Sequence, residues 1–192
     1  MPVPNQAALD FLLTRRSRPH KTLTSPAPNA DQLRPLLTAA ARTPDHGKLE
    51  PWRFIVLQAP ALKRLGQLAR TRAAELGHDG DKTDKIATMF ENAPLSVAVI
   101  ASPKPSDKIP EVEQTLSAGA VCLALLNAAL ASGWGANWLT GWTAYDRPFL
   151  TEGLALNPHE FVAGFIHLGT QTSTPPDRPR PDIDAITTVV SV

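Results

Sequence analysis

Cysteine is nearly absent from this sequence, and so are the signatures of several common enzyme classes. The single Cys122 excludes an internal disulfide and a cysteine-based metal cluster. It lies in the apolar run AVCLALLNAALA, which predicts a small buried hydrophobic residue rather than a nucleophile. The five histidines show no H-E-x-x-H or other paired-ligand spacing, and no G-x-S-x-G, G-x-x-x-x-G-K-[ST] or G-x-G-x-x-G motif occurs. Hydrolase, metalloenzyme and conventional nucleotide-binding classes therefore have little support.

Excess charge and long apolar runs are missing as well. A net charge of +1 over 192 residues argues against a general electrostatic role on nucleic acid or a membrane surface. The longest apolar run lies within residues 118–131 and is too short to span a bilayer. No basic segment precedes an apolar one at the N-terminus, which argues against a signal peptide. We expect one cytoplasmic domain over residues 1–192, with no nucleic acid or membrane as partner.

Apolar periodicity indicates the elements of this domain. It predicts helices over residues 5–15, 31–41, 60–76, 82–92, 111–132 and 146–154, and strands over residues 54–57, 95–101, 135–140 and 161–168. Because helices outnumber strands and the first two helices are consecutive, a strict βαβ alternation fails and an α+β fold is predicted. Asn5 is the expected cap of the first helix. Pro35 fits the second helix only within its first turn, which predicts a cap near Asp31.

Proline marks the connections and the C-terminal segment. The chain has 19 prolines, about twice the usual share. A Pro-rich stretch over residues 175–181 is extended, and residues 183–192 then regain strand character. An extended arm of this kind, about residues 171–192, commonly crosses to a partner. We therefore predict a homodimer.

Three segments have the composition of a ligand site, and the first is Arg15-Arg16-Ser17 at the end of the first predicted helix. Two adjacent guanidinium groups and a hydroxyl supply the donors that a phosphate accepts. Arginines at a helix C-terminus also complement the helix dipole, so the segment alone does not decide between the two roles.

The second segment is the loop and strand over residues 42–57, RTPDHGKLEPWRFIVL. Arg42, Asp45, His46 and Lys48 lie in the loop, and a hydrophobic strand follows. Polar groups at the mouth of a strand are typical of ligand sites, although a solvated surface loop is the more frequent outcome.

The third segment is GWGANWLTGW over residues 133–142. Its glycines allow a backbone to approach a flat ring closely, and Trp134, Trp138 and Trp142 supply aromatic planes. The alternative is that these tryptophans fill the core, and we expect this of at least one of them.

Together these segments resemble the nitroreductase family of flavin enzymes. The R-R-S near the N-terminus, the loop AARTPDHGKLEPWRF and the late LGT at residues 168–170 occur in that family's order, over nearly the whole chain. The similarity is greatest to the small bacterial NAD(P)H nitroreductases with a P-D-H loop. The resemblance implies a mostly antiparallel sheet flanked by helices, a domain-swapped homodimer, and FMN bound without a covalent link at the dimer interface.

The resemblance also implies roles for individual residues. Arg15, Arg16 and Ser17 would bind the FMN phosphate, ribityl chain and pyrimidine edge, with Arg16 placed to stabilise the reduced flavin. Residues of the other subunit or of neighbouring segments would complete the site: Arg42 and His46 from the partner, Trp138, Leu139 and Thr140 alongside the flavin, and Arg178 and Arg180 from the tail. Leu139 departs from this branch of the family, which has an arginine there, and could offer only main-chain groups.

The implied activity is two-electron reduction of nitroaromatic, quinone or enone acceptors by NADH or NADPH. No protein acid or base is needed for the hydride transfer itself, so Asp45 is expected to brace its loop rather than to act as a catalytic base. Three alternatives stay open: another flavin chemistry on the same fold, a flavin-binding or redox-sensing module with little turnover, and a dimeric structural domain that has lost flavin.

Overall fold

The computed structural model describes residues 2–192 and has an α+β architecture. The helices are α1 (Gln6–Thr14), α2 (Ala30–Ala40), α3 (Ala59–Glu75), α4 (Gly80–Glu91), α5 (Glu111–Ala131) and α6 (Arg147–Leu154). The strands are β1 (Leu23–Thr24), β2 (Trp52–Gln58), β3 (Leu95–Ala101), β4 (Gly135–Leu139) and β5 (Phe161–Gln171). The predicted class is confirmed, and so is each predicted helix and strand before residue 169, with small shifts at the ends.

All strand pairs of the sheet are antiparallel. β3 lies between β2 and β5, while β4 and the short β1 both pair with the other side of β5. One face packs against α3, α4 and α6, and the other packs against α2 and α5. Because helices cover both faces, β3 is buried along its whole length and reads in the sequence as a continuous apolar run.

Helix α5 is the central element of the second layer. With 21 residues, this helix is long and apolar enough to cross a membrane, if only length and composition are considered. Its buried face, however, packs against α2, β3, β4 and β5, as expected of the core helix of a globular domain. Cys122 is fully buried there, which confirms the prediction of a small buried residue, and burial raises the pKa of its thiol to about 12.

Helix caps follow the sequence with one correction. Asn5 accepts a hydrogen bond from the Ala8 amide and caps α1 as predicted. The cap of α2 is Asn29 rather than a residue near Asp31, because Asn29 and Gln32 form a reciprocal capping box. Pro35 is therefore the sixth residue of α2, beyond the first turn. It is tolerated there because the exposed Asp31 carbonyl, which loses its helical donor, can bond to water.

Three further predictions need correction. Helix α4 begins at Gly80 rather than at residue 82, since Asp79 caps that helix by accepting from the Lys82 amide. β5 extends to Gln171, because Thr170 and Gln171 pair with β1, which the sequence does not indicate. Residues 183–192 form one turn of 3₁₀ helix and exposed coil rather than a strand within this chain. A strand needs a partner, and this segment pairs with no strand among residues 2–192.

Candidate functional site

Residues 15–18 run alongside β4 after α1 ends. The Arg18 amide donates to the Ala136 carbonyl at 2.8 Å, and the Asn137 side-chain amide donates to the Arg18 carbonyl at 2.6 Å. These two bonds fix the first predicted segment next to the third.

A cavity of about 260 Å³ lies between these two segments. Arg15, Arg16 and Arg18 all line it, and Trp134 and Gln171 lie on its other side. Its remaining lining residues are Phe11, Thr14, Leu130 and Gly133. A small cavity with three guanidinium groups and no lining carboxylate suits an anion.

Two of these arginines carry unused donors. The Nε atoms of Arg15 and Arg18 are buried and have no acceptor among residues 2–192. Burial, and then the nearby charges of Arg180 and Arg16, lower the pKa of Arg15. Arg15 also donates from Nη2 to the Ser17 hydroxyl at 3.1 Å. Both Nε atoms are closed to solvent, so an anionic ligand could accept from them only after a shift of the arginine side chains.

The C-terminal segment reaches the same cluster. Arg16 donates from Nε and Nη2 to the Pro176 carbonyl at 3.3 and 3.1 Å, and its Nε lies 3.8 Å from the Asp177 carboxylate. Arg180 donates to Asp177 at 3.0 Å. Arg178 bonds Asp177 through its backbone amide only. The structure thus brings Arg180, but not the Arg178 side chain, into contact with this network.

The end of β4 forms one border of the site. The Trp138 indole donates to the Ala163 carbonyl at 3.2 Å and packs on the α5 side of the sheet, so this tryptophan belongs largely to the core. Gly164 is required beneath it, because a Cβ there would overlap the indole. Leu139 packs into the apolar cluster on the opposite face, which leaves only its main chain for a ligand. Thr140 is exposed.

The loop before β2 is held by α5. Asp45 accepts from the amides of Leu49 and Glu50 at 3.3 and 2.7 Å, as expected of a bracing residue. His46 Nδ1 lies 2.7 Å from Glu113 Oε2. Gly47 has a left-handed backbone, as do Lys48 and Glu50 in the same loop, and a Cβ on Gly47 would overlap Ile109.

A hydrogen-bond chain also fixes the end of that loop. The Trp52 indole donates to the Ser117 hydroxyl at 3.2 Å, and Ser117 donates to the Pro44 carbonyl at 2.8 Å. Arg42 is exposed beside α2, next to Pro35 and Thr38. Within residues 2–192 no hydrogen bond or ion pair joins Arg42 or His46 to the arginine cluster.

The cavity residues that were not predicted to bind the cofactor include Arg18, Trp134 and Gln171. Arg18 could have been found from the run R-R-S-R, whose fourth member is also basic. Trp134 was noted as an aromatic plane but not assigned to the cofactor. Gln171 has no local signal, because it reaches the cavity only through the pairing of β5 with β1.

Known proteins resemble this chain in sequence and in fold. The nitroreductase family model matches residues 12–170. The protein named "Putative NAD(P)H nitroreductase YdjA" of Escherichia coli K12 is 34% identical over 163 residues, which cover 85% of this chain and 87% of that protein. A nitroreductase-like family protein from Bacillus cereus superposes with a TM-score of 0.80 at 23% identity, over 99% of this chain and 98% of that one.

A crystal structure of a nitroreductase with bound FMN from Bacteroides fragilis superposes with a TM-score of 0.72 at 21% identity, over 95% of this chain and 98% of that one. At that identity the likeness shows the fold alone. The family match over most of the chain and the relative above 30% identity agree with the three sequence motifs. This chain belongs to the nitroreductase family.

Proposed function

We propose that this protein is an FMN-dependent oxidoreductase that uses NADH or NADPH to reduce nitroaromatic, quinone or enone acceptors in the cytoplasm. The observation that supports this most strongly is the cavity beside β4, which is lined by three arginines and by no carboxylate. The printed name of the Escherichia coli relative supports NAD(P)H as the reductant, and the FMN-bound neighbour supports the cofactor.

The residues present fit the FMN phosphate and ribityl chain. Arg15, Arg16 and Ser17 would bind these groups, and Arg180 would add a fourth donor group from the tail. Trp138, Leu139 and Thr140 would pass alongside the isoalloxazine ring. When bound, FMN supplies the two-electron chemistry between the nicotinamide and the acceptor. Arg16 would place a fixed positive charge near the pyrimidine edge, where the cofactor needs a donor.

A second copy of the chain would complete the site. Arg42 and His46 belong to a loop that α5 holds apart from the arginine cluster of its own chain. The exposed apolar residues of α1 and α5 offer an interface: Leu9, Leu12, Leu13, Val112, Leu116 and Leu123. A monomer rarely exposes so many large apolar side chains on two helices. A homodimer would bury them and bring Arg42 and His46 of one chain to the FMN of the other.

The C-terminal arm would add to this dimer. The apolar residues Ile183, Ile186, Val189 and Val190 are all more than 60% exposed. β2 forms one edge of the sheet, and beside it a groove of about 560 Å³ runs along α2, lined by Leu33, Leu37, Phe54 and Val56 among others. An unpaired edge and a strand without a partner are complementary. We propose that residues 183–192 of one subunit lie along this edge of its partner.

Removal of residues 182–192 is therefore expected to weaken the dimer at least about tenfold, because each buried Ile or Val contributes roughly 1.5–3 kcal/mol. Analytical ultracentrifugation over a concentration series would measure the dissociation constant. A full-length Asp182→Ala protein is the control and should dimerise like the parent. An unchanged dissociation constant after truncation would place the arm elsewhere.

The function itself is tested by the absorbance of the purified protein. We expect a yellow protein with FMN in the extract, loss of the flavin absorbance on addition of NADH or NADPH, and its return on addition of a nitroaromatic or quinone. Yellow protein that neither nucleotide bleaches would favour a flavin-binding module instead. Colourless protein that does not take up added FMN would refute both.

A further inference from the structure

A second cavity, of about 350 Å³, lies between α4 and the turn that follows β4. His78, Lys82, Lys85, Ile86 and Trp142 line it. It shares no lining residue with the arginine cavity, and of its lining residues the sequence pointed only to Trp142, as an aromatic plane.

The cavity adjoins the segment expected to pass the flavin. Gly141 follows Thr140 directly, and a Cβ on Gly141 would lie 3.8 Å from the Cδ1 atom of Ile86. Trp142 is the next residue. A ligand in the cavity would therefore lie within one or two residues of the end of β4, the segment proposed to pass alongside the flavin.

Packing holds Trp142 as a rigid wall. Its ring meets His78 edge-on at 5.3 Å between centroids and Phe149 at 5.9 Å. Its indole N–H is buried and has no acceptor within residues 2–192, so contacts rather than a hydrogen bond fix the ring. Together with Ile86, this ring gives the cavity an apolar wall suited to a planar ligand.

Two lysines, Lys82 and Lys85, line the cavity beside that apolar wall. Lys82 lies 3.1 Å from the Asp79 carboxylate and is partly compensated, whereas Lys85 makes no ion pair with any residue in the described part of the chain. Other acidic groups of this region are already engaged, since Asp84 and Glu91 bond to Arg70, and Asp146 bonds to Arg72. Asp81, one turn before Lys85, is exposed and makes no ion pair with it.

We propose that this cavity binds a planar ring that carries an anionic group, with the ring against Trp142 and Ile86 and the anion at Lys82 and Lys85. This inference rests on the proposed function and specifies its ligand. Two ligands of the proposed reaction carry such a ring and anionic group. One is an acceptor with a carboxylate on its ring, and the other is the adenosine phosphate part of the reductant.

A Lys82→Gln/Lys85→Gln protein tests the charge. We expect kcat/KM for 4-nitrobenzoate to fall relative to that for the neutral 4-nitrobenzyl alcohol, by about threefold per lysine and roughly tenfold in the double variant. If the nucleotide is the source, KM for NADPH rises by a similar factor while the ratio of the two acceptors is unchanged. Lys63→Gln removes a charge from the exposed face of α3 and is the matched control. Equal changes for both acceptors and an unchanged KM for NADPH would overturn the proposal.

Direct binding separates this inference from the proposed function. Calorimetric titration of the purified protein with benzoate and with 2′,5′-ADP, neither of which is reduced, should give a dissociation constant for at least one of them that the double variant raises about tenfold. Benzyl alcohol should bind equally weakly to both proteins. Absence of turnover together with lysine-dependent binding would refute the proposed reaction but not the site. Turnover without any lysine-dependent binding or selectivity would refute the site.

Discussion

An Arg16→Ala substitution is expected to raise the dissociation constant for FMN by about a hundredfold. The Arg16 side chain is only 22% exposed and already points two donors at one acceptor, the Pro176 carbonyl. A phosphate or pyrimidine oxygen in place of that carbonyl would accept charge-assisted hydrogen bonds, each of which contributes roughly 1.5–3 kcal/mol. Titration of flavin-free protein with FMN, followed by quenching of flavin fluorescence, would measure the change.

Comparison of Arg16→Lys with Arg16→Ala separates the contribution of the planar guanidinium from that of the positive charge. Arg16→Lys keeps the charge but loses the planar fork, so its FMN affinity should lie between those of the parent and Arg16→Ala. Arg180→Ala should weaken binding more than Arg178→Ala, because only Arg180 extends its side chain to the network around Asp177. Lys63→Ala, on an exposed helix face, should change nothing. If Arg16→Ala protein keeps its full flavin content and is reduced by NADPH at the parent rate, Arg16 does not have this role.

Elements with a strong local pattern could be predicted from the sequence. β3 was predicted with its observed bounds because Pro94 precedes a seven-residue apolar run that helices bury on both faces. α5 was predicted within one residue because a glycine, Gly133, follows a long apolar segment. In the structure Gly133 has a positive φ, as expected of a glycine just past a helix C-terminus. Such signals are contained in neighbouring residues, so no tertiary information is needed to detect them.

Elements that depend on distant partners could not be predicted in the same way. β1 exists only because Leu23 and Thr24 pair with residues almost 150 positions later. Residues 183–192 have the composition of a strand, yet they form none within the chain, since strand composition does not supply an edge to pair with. The residues of the site likewise divide into those with a local sequence signal and those that depend on distant pairing. Arg15 and Arg16 are adjacent in sequence and were predicted, whereas Arg18 and Gln171 enter the cavity through pairing with β4 and β1.

An Arg53→Met substitution is expected to lower the free energy of unfolding by about 3 kcal/mol. Arg53 on β2 forms a bidentate pair with Glu160, at 2.7 and 2.9 Å, and Glu160 is only 3% exposed. The pair connects β2 to the residue before β5 across the intervening β3. Without the guanidinium, the carboxylate would stay buried with the Asn157 amides as its main remaining donors. Urea denaturation would measure the loss, and Lys63→Met should stay within about 0.5 kcal/mol of the parent.

The same pair makes stability depend on pH in a defined direction. The Arg53 hydrogen bonds lower the pKa of Glu160 from 4.5 to about 2. Because the folded pKa is the lower one, this stabilisation is complete above about pH 4.5 and is lost as the pH falls toward 2. Between pH 5 and pH 3 the parent should lose about 2 kcal/mol from this group, while Arg53→Met should lose less, so that the gap between the two proteins narrows in acid. Glu160→Gln, which cannot titrate, serves as the control and should lack this component. A constant gap between parent and Arg53→Met from pH 7 to pH 3 would show that the ion pair is not its cause.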